Sequence, residues 1–271
     1  MLSMIRVRNT LVALAFTTLL GCSIDSPAST PTTQQVNVTI YSTYATQPLT
    51  RTLTDRYLDT HPEFSIKVVD NSYDDLITQI ADGSAEYFMS SYVPSDDDIW
   101  AAPIARDGLV LIAHPDNPVS SVQIDDIRGI FNGRITEWGT LSGNDRLITP
   151  LTFQPNDDVY QEFHRLVMGK QGITSNAQVI PNIKAMIQQV STMPDAIGYI
   201  PLSHVTDAVK VLSIDDIVPT QSTVTDNIYP LRITLFIIGR EEPPAEYRAF
   251  FSWIQSLDGQ TIVSQKYVSL P

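Results

Sequence analysis

The chain reads as an α/β protein, and three observations predict that class. Short runs rich in β-branched residues alternate with segments whose apolar residues recur at helical spacing. That strand-then-helix order persists from Val36 to the C-terminus, which implies α/β layers rather than separate all-α or all-β units. The composition, 43% hydrophobic with 17% charged residues, is that of a globular chain and not of a disordered, collagenous or coiled-coil one. A length of 271 residues suits two compact units, since single domains commonly run to about 100–150 residues.

The elements follow in order. Val36-Asn37-Val38-Thr39-Ile40 alternates with period two and predicts a strand. Leu49, Leu53, Tyr57 and Leu58 share one helical face that ends near His61-Pro62. Ile66 to Val69 predicts a second strand, and Ser72 opens a helix through Leu76, Ile77 and Ile80 that stops at Gly83. Glu86 to Met89 and Leu109 to Ile112 read as the third and fourth strands, the fourth buried. In the middle of the chain, Ile124, Ile127 and Phe131 mark a helix closing at Gly133, Leu147 to Thr149 a strand, and Val159 to Val167 a helix. Ile183 to Val190 predicts another helix, and Ile197 to Ile200 and Leu231 to Ile238 two more strands. Tyr247, Phe250, Phe251 and Ile254 give a helix just after Pro243-Pro244. In such layers a ligand is expected beyond the carboxyl ends of the strands.

Charge and cysteine count exclude several functions. A net charge of −13 argues against nucleic acid as a partner, because phosphate backbones need a basic surface. One cysteine allows no internal disulfide and no Cys-rich metal site. Residues 1–21 read as an export signal: Arg6 and Arg8 precede the apolar run Leu11 to Leu20. Ten helical residues reach only about 15 Å, half of a bilayer's hydrocarbon core. Leu19-Leu20-Gly21-Cys22 resembles a bacterial lipoprotein signal, which implies cleavage before Cys22 and lipidation of its thiol; the other reading is an ordinary secretory signal with a stray cysteine. Residues 22–35, rich in Ser, Thr and Pro, are expected to form a disordered linker.

Few catalytic patterns are present. His61, His114, His164 and His204 are far apart and none lies in an HExxH motif. There is no G-x-S-x-G elbow, no G-x-x-x-x-G-K-[ST] loop and no G-x-G-x-x-G. Asp96-Asp97-Asp98 lacks the ligand spacing and closing Glu of an EF-hand and reads as a solvated acidic turn. No metal, cofactor or enzymatic activity is expected. The informative features are hydroxyl-rich segments directly after strands: Tyr41 to Thr46, Asn71-Ser72-Tyr73 and Ser90-Ser91. Such junctions hold an anion by amide and hydroxyl donors without a lysine. The alternative is that Thr46 and Ser72 only cap their helices, an effect worth about 1 kcal/mol each.

From about Val36 to Pro271 the sequence resembles the type II periplasmic solute-binding proteins, specifically the phosphate-binding components of ABC transporters. The matching pieces come in the family's order: Ser42-Thr43 with Pro48-Leu49, Gly83 to Ser91, Ala102 to Ile112 followed by Asp116-Asn117-Pro118, Ala196-Ile197-Gly198-Tyr199 and Tyr229-Pro230-Leu231. The most specific block is Ile127 to Trp138, which resembles "L-x-x-I-F-x-G-x-I-x-x-W". The resemblance implies two α/β lobes, each with a mixed sheet flanked by helices, that close on a ligand about a hinge. Lobe one is placed at 36–115 plus 235–271 and lobe two at 116–234. It also implies a monomer outside the cytoplasm that delivers a small ligand, phosphate or another oxyanion, to an ABC permease. The ligand-binding residues expected are Ser42, Thr43, Ser72, Ser90 and Ser91 on one side and the Asn156-Asp157 helix start on the other.

One loop departs from the pattern. Phosphate binders carry an arginine followed by Ser-Gly-Thr at a helix start; the corresponding stretch here is Phe153 to Val159, without the arginine and with Asp157-Asp158 at the Ser-Gly positions. A guanidinium is a main charge-assisted contact for an oxyanion. A carboxylate about 4 Å from the anion costs roughly 4 kcal/mol at an effective dielectric of about 20, near a thousandfold in affinity. An unaligned Arg106, Arg134 or Arg146 is the remaining source of a cation. The alternative function is a sensor or protein-interaction lipoprotein on the same scaffold with altered or lost ligand specificity.

Overall fold

The structure, a computed structural model, describes residues 35–95 and 99–270. The expected signal segment 1–21, Cys22, the linker as far as residue 34 and Asp96-Asp97-Asp98 lie outside the described residues. In chain order the main elements are β1 (Val36–Ser42), α1 (Gln47–Leu58), β2 (Phe64–Asp70), α2 (Tyr73–Asp82), β3 (Tyr87–Ser90), β4 (Trp100–Ala113), β5 (Ser121–Val122) and α3 (Ile124–Phe131). They continue with β6 (Thr149–Thr152), α4 (Asp158–Phe163), β7 (Gln178–Val179), α5 (Ile183–Thr192), β8 (Ala196–Pro201) and β9 (Lys210–Ile214). The last are α6 (Gln221–Thr225), β10 (Arg232–Gly239), α7 (Ala245–Gln255) and α8 (Leu257–Val263).

The α/β class is as expected, but the strands do not form two separate sheets. They form one mixed ten-stranded sheet in the order β2-β1-β3-β10-β4-β8-β6-β7, with β9 also on β4 and β5 on β9. The reason is the length of β4. Its first nine residues, Trp100 to Gly108, pair antiparallel with β10, and Leu109 to Ala113 pair antiparallel with β8. One strand therefore serves both halves. Only its second half is an unbroken apolar run; Pro103, Arg106, Asp107 and Gly108 hide the first.

Local sequence explains the helices. Ser72 caps α2 by accepting a hydrogen bond from the Asp75 amide, and Gly83 ends it in the left-handed region at φ 79°. Asn182 caps α5 through the Ala185 amide. The helix expected over Val159 to Val167 is α4 followed by a single π turn, His164–Met168. The strand expected at 147–149 lies later, at β6, because Leu147 is exposed whereas Leu151 is fully buried. Pro150 is tolerated there because pairing with β7 begins only at Leu151. Helices pack on the sheet through Leu49, Leu53 and Tyr57 of α1 and Phe250 and Ile254 of α7, all buried. In the other half, Phe163 stacks on Tyr199 at 3.9 Å and 7°, with Phe131 and Phe153 edge-on around them.

Asp107 sits at the middle of β4, 2% exposed. Its Oδ1 accepts from the Gly108 amide at 2.7 Å and its Oδ2 from the Ser203 amide at 3.3 Å. Burial pushes its carboxyl up to about 6. Because the folded value lies above the unfolded one, the favourable contribution is fully present below about pH 4 and is lost as pH rises through about 6. Asp107→Asn removes the ionisation. The stability difference between variant and wild type is expected to move in the variant's favour by about 2–3 kcal/mol between pH 4 and pH 8, taking about 1.4 kcal/mol for each pH unit of displacement. Thermal melts of both chains across that range measure it, and a pH-independent difference contradicts the account.

Candidate functional site

β1 and β3 are parallel neighbours, with Tyr41 opposite Phe88 and Ser42 opposite Met89. Their carboxyl ends therefore bring the segments beginning at Thr43 and Ser90 side by side. The helix start after β6 packs directly against them, and the group that meets them is Asp158. Its Oδ2 accepts from Thr43 Oγ1 at 2.8 Å, from the Ser91 amide at 2.9 Å and from Ser91 Oγ at 2.9 Å; Ser90 Oγ, 3.2 Å away, divides its single proton between this oxygen and the Tyr92 carbonyl at 3.1 Å. Asp158 is 1% exposed, and Ser90, Ser91 and Thr43 are equally buried. Among the described residues Asp158 forms no ion pair within 4.0 Å. A buried carboxylate costs several kcal/mol in lost hydration; hydrogen bonds to a charged group return about 1.5–3 kcal/mol each. The donor array is the electrostatic counterweight to this charge.

Behind the array lies a second row of hydroxyls. Ser42 Oγ is 3.1 Å from both Thr46 Oγ1 and Thr50 Oγ1, and Thr43 Oγ1 is 3.1 Å from Thr46 Oγ1. Thr46 Oγ1 donates to the Met89 carbonyl at 2.7 Å and makes no capping bond to its own helix. Ser42 is thus one layer back, bracing the loop that carries Thr43. A further bond crosses the same gap, between His204 Nε2 and the Ala45 carbonyl at 2.8 Å. Burial holds the His204 imidazole below its ordinary value.

The residues expected at the site separate into two groups. Thr43, Ser90 and Ser91 converge on one point, with Ser42 supporting them. Ser72 does not join them: it ends the β2 side of the sheet and is engaged as the α2 cap and with Asp75. Asn156 is exposed. Asp157 turns back on its own helix, where Oδ1 accepts from the amides of Val159 at 2.9 Å and Tyr160 at 3.4 Å. Burial, with the neighbouring Asp158 charge second, pushes the Asp157 carboxyl above its usual range. The residue missed was Asp158. A signal was present, since an N-cap role for Asp157 leaves the next carboxylate rotated by about 100° and free to face elsewhere.

The arginines considered as substitutes stay away from this centre. Arg106 donates to the Ser269 carbonyl, Arg134 to the Asp125 carbonyl, and Arg146 pairs with Asp195. One turn along α4, Glu162 is buried and binds Arg165 through two bonds, of 3.2 and 2.5 Å. Burial raises the Glu162 carboxyl, and the Arg165 guanidinium opposes the rise. A cavity of about 220 Å³, bounded by Tyr92, Glu162, Arg165, Arg232 and Phe236, adjoins these residues. Among the described residues no cluster of His, Cys, Asp and Glu is arranged to hold a metal, and no helix is long and apolar enough to cross a membrane.

The class of the protein is given by comparison with known families. The model of the PBP superfamily domain matches residues 26–257, and the chain belongs to that family, a solute-binding and non-enzymatic one that is typically extracytoplasmic. The phosphate-binding protein PstS of Bacillus subtilis is 24% identical over 245 residues, covering 86% of this chain and 80% of that one. A phosphate ABC transporter substrate-binding protein from Clostridium perfringens, solved with bound phosphate, superposes with a TM-score of 0.82 at 25% identity, over 87% of this chain and 100% of that one. An ABC-type phosphate transport receptor from Vibrio cholerae, at 23% identity and a TM-score of 0.73 over 86% of this chain and 100% of that one, shares the fold.

Ser72→Ala separates capping from ligand binding. The variant is expected to lose about 1 kcal/mol of stability in chemical denaturation, the usual worth of an N-cap hydroxyl, with no change in any ligand titration. A loss of ligand binding at unchanged stability would return Ser72 to the site.

Proposed function

We propose that the chain is a lipid-anchored, extracytoplasmic solute-binding protein that takes a small oxyanion, phosphate or a similar ion, between two lobes and presents it to an ABC permease. In this reading lobe one comprises 36–115 and 235–271, lobe two comprises 116–234, and Cys22 carries the anchor. The observation that carries the reading is the array of donors from Thr43 and Ser91, with the Ser90 hydroxyl beside them, aimed at a single anionic oxygen. Such an array recognises a carboxylate, phosphate or sulfate oxygen and has no use for a cation. The relatives that bear phosphate in their names add the ligand class.

Affinity for phosphate is expected to be low. The guanidinium that would neutralise the ion is absent, and the Asp158 carboxylate stands where the ion's oxygen would be held. A like charge about 4 Å away costs near a thousandfold. A second reading rests on that same carboxylate: a cleft already satisfied suits a sensor or protein-interaction lipoprotein that no longer carries a solute. Calorimetric titration of the full chain with phosphate, sulfate and molybdate distinguishes them. Phosphate saturating in the millimolar range is the expected result. No heat for any of the three ions overturns the oxyanion reading and leaves the interaction module.

A further inference from the structure

We infer that Asp158 is the resident ligand of this cleft: a carboxylate belonging to the chain itself occupies the oxyanion position, holds the two faces of the gap together and sets the affinity for any free anion. The inference rests on the oxyanion reading above for its ligand class and on geometry for the rest. Three donors from Thr43 and Ser91 converge on one oxygen, Oδ2, with the shared Ser90 hydroxyl at 3.2 Å, and that oxygen belongs to an element 115 residues further along the chain than Thr43. Every one of those donors is a group that binds an anion's oxygen, and each is buried. Two of the bonds come from a single residue, Ser91, through its amide and its hydroxyl, so the geometry is that of an anion cradle rather than of scattered contacts. Nothing cationic shares the charge within 4.0 Å among the described residues, which leaves the cradle as its principal stabiliser.

The neighbouring acid has a different task. Asp157 is fully engaged in closing the first turn of α4 and thereby fixes the rotation at which Asp158 leaves the helix. The pair thus divides into one carboxylate that sets direction and one that reaches across. A tethered group competes at an effective concentration in the millimolar range or above, without translational cost. A free oxyanion must displace it and then tolerate its charge nearby. Asp158 is therefore a specificity-determining residue that keeps the cradle closed to dilute oxyanions.

The test uses the full chain and inorganic phosphate, with Asp158→Gly to empty the cradle, and Thr43→Val added to that variant to remove one donor. Asp158→Gly is expected to bind phosphate roughly a thousandfold more tightly than wild type, the factor one like charge imposes at close range. The added Thr43→Val change is expected to remove at least tenfold of that gain. Small-angle scattering without phosphate is expected to show Asp158→Gly more extended than wild type. Asp158→Ala, which removes the acceptor and keeps a good helix former in the first turn of α4, gives the same scattering comparison should the glycine variant not fold. If Asp158→Gly and wild type bind phosphate equally, the inference is overturned while the oxyanion reading stands. If neither binds any oxyanion but the variant opens in scattering, the carboxylate is upheld as the closing group and the oxyanion reading falls. No binding together with unchanged scattering sinks both.

Discussion

Buried hydrogen-bond donors need acceptors, and at the ends of β1 and β3 this requirement is concentrated. Thr43, Ser90 and Ser91 present hydroxyls and an amide to one small volume, braced from behind by Ser42, Thr46 and Thr50. Each donor left without a partner would cost about 1–3 kcal/mol. The array therefore has two stable conditions only: open to water, or closed on something that accepts. In this chain the acceptor is covalently part of the molecule. Its arrival ties the segment after β6 to the strand ends on the other side of the sheet.

That arrangement is open to more than one kind of anion. A cradle of amides and alcohols does not distinguish a carboxylate oxygen from a phosphate oxygen by charge sign or by hydrogen-bond role. What separates them is the surrounding field, and a guanidinium and a carboxylate set opposite fields. In this chain the loop Gln154-Pro155-Asn156-Asp157-Asp158 brings a carboxylate, and no arginine, to the centre of the array. Fold and site consequently carry separate information: the superposition with a phosphate-bound relative at a TM-score of 0.82 speaks to the first.

Much of the fold was legible because it rests on local rules. Ser72, Gly83 and the apolar spacing of α1, α5 and α7 mark their elements wherever they are placed. The first half of β4 was not legible, since its burial comes from β10, more than a hundred residues away, and not from its own alternation. β5 and β7 are two residues long and carry no periodicity at all. In the site, Thr43, Ser90 and Ser91 could be picked out as hydroxyls at the ends of interior strands. Ser72 looked equivalent, but it follows the outermost strand of the sheet and its hydroxyl is engaged with Asp75 as the cap of α2. The choice between Asp157 and Asp158 turned on one residue of helical rotation, which only a placed N-cap resolves.

The shared strand also ties the two halves of the sheet to one backbone. β4 passes from one half to the other, and at the crossing the Tyr229 hydroxyl donates to the Leu109 carbonyl at 2.8 Å while its ring lies against Gly108. Ladder bonds to β10 end where those to β8 and β9 begin, so a single peptide seam carries the join between the two halves.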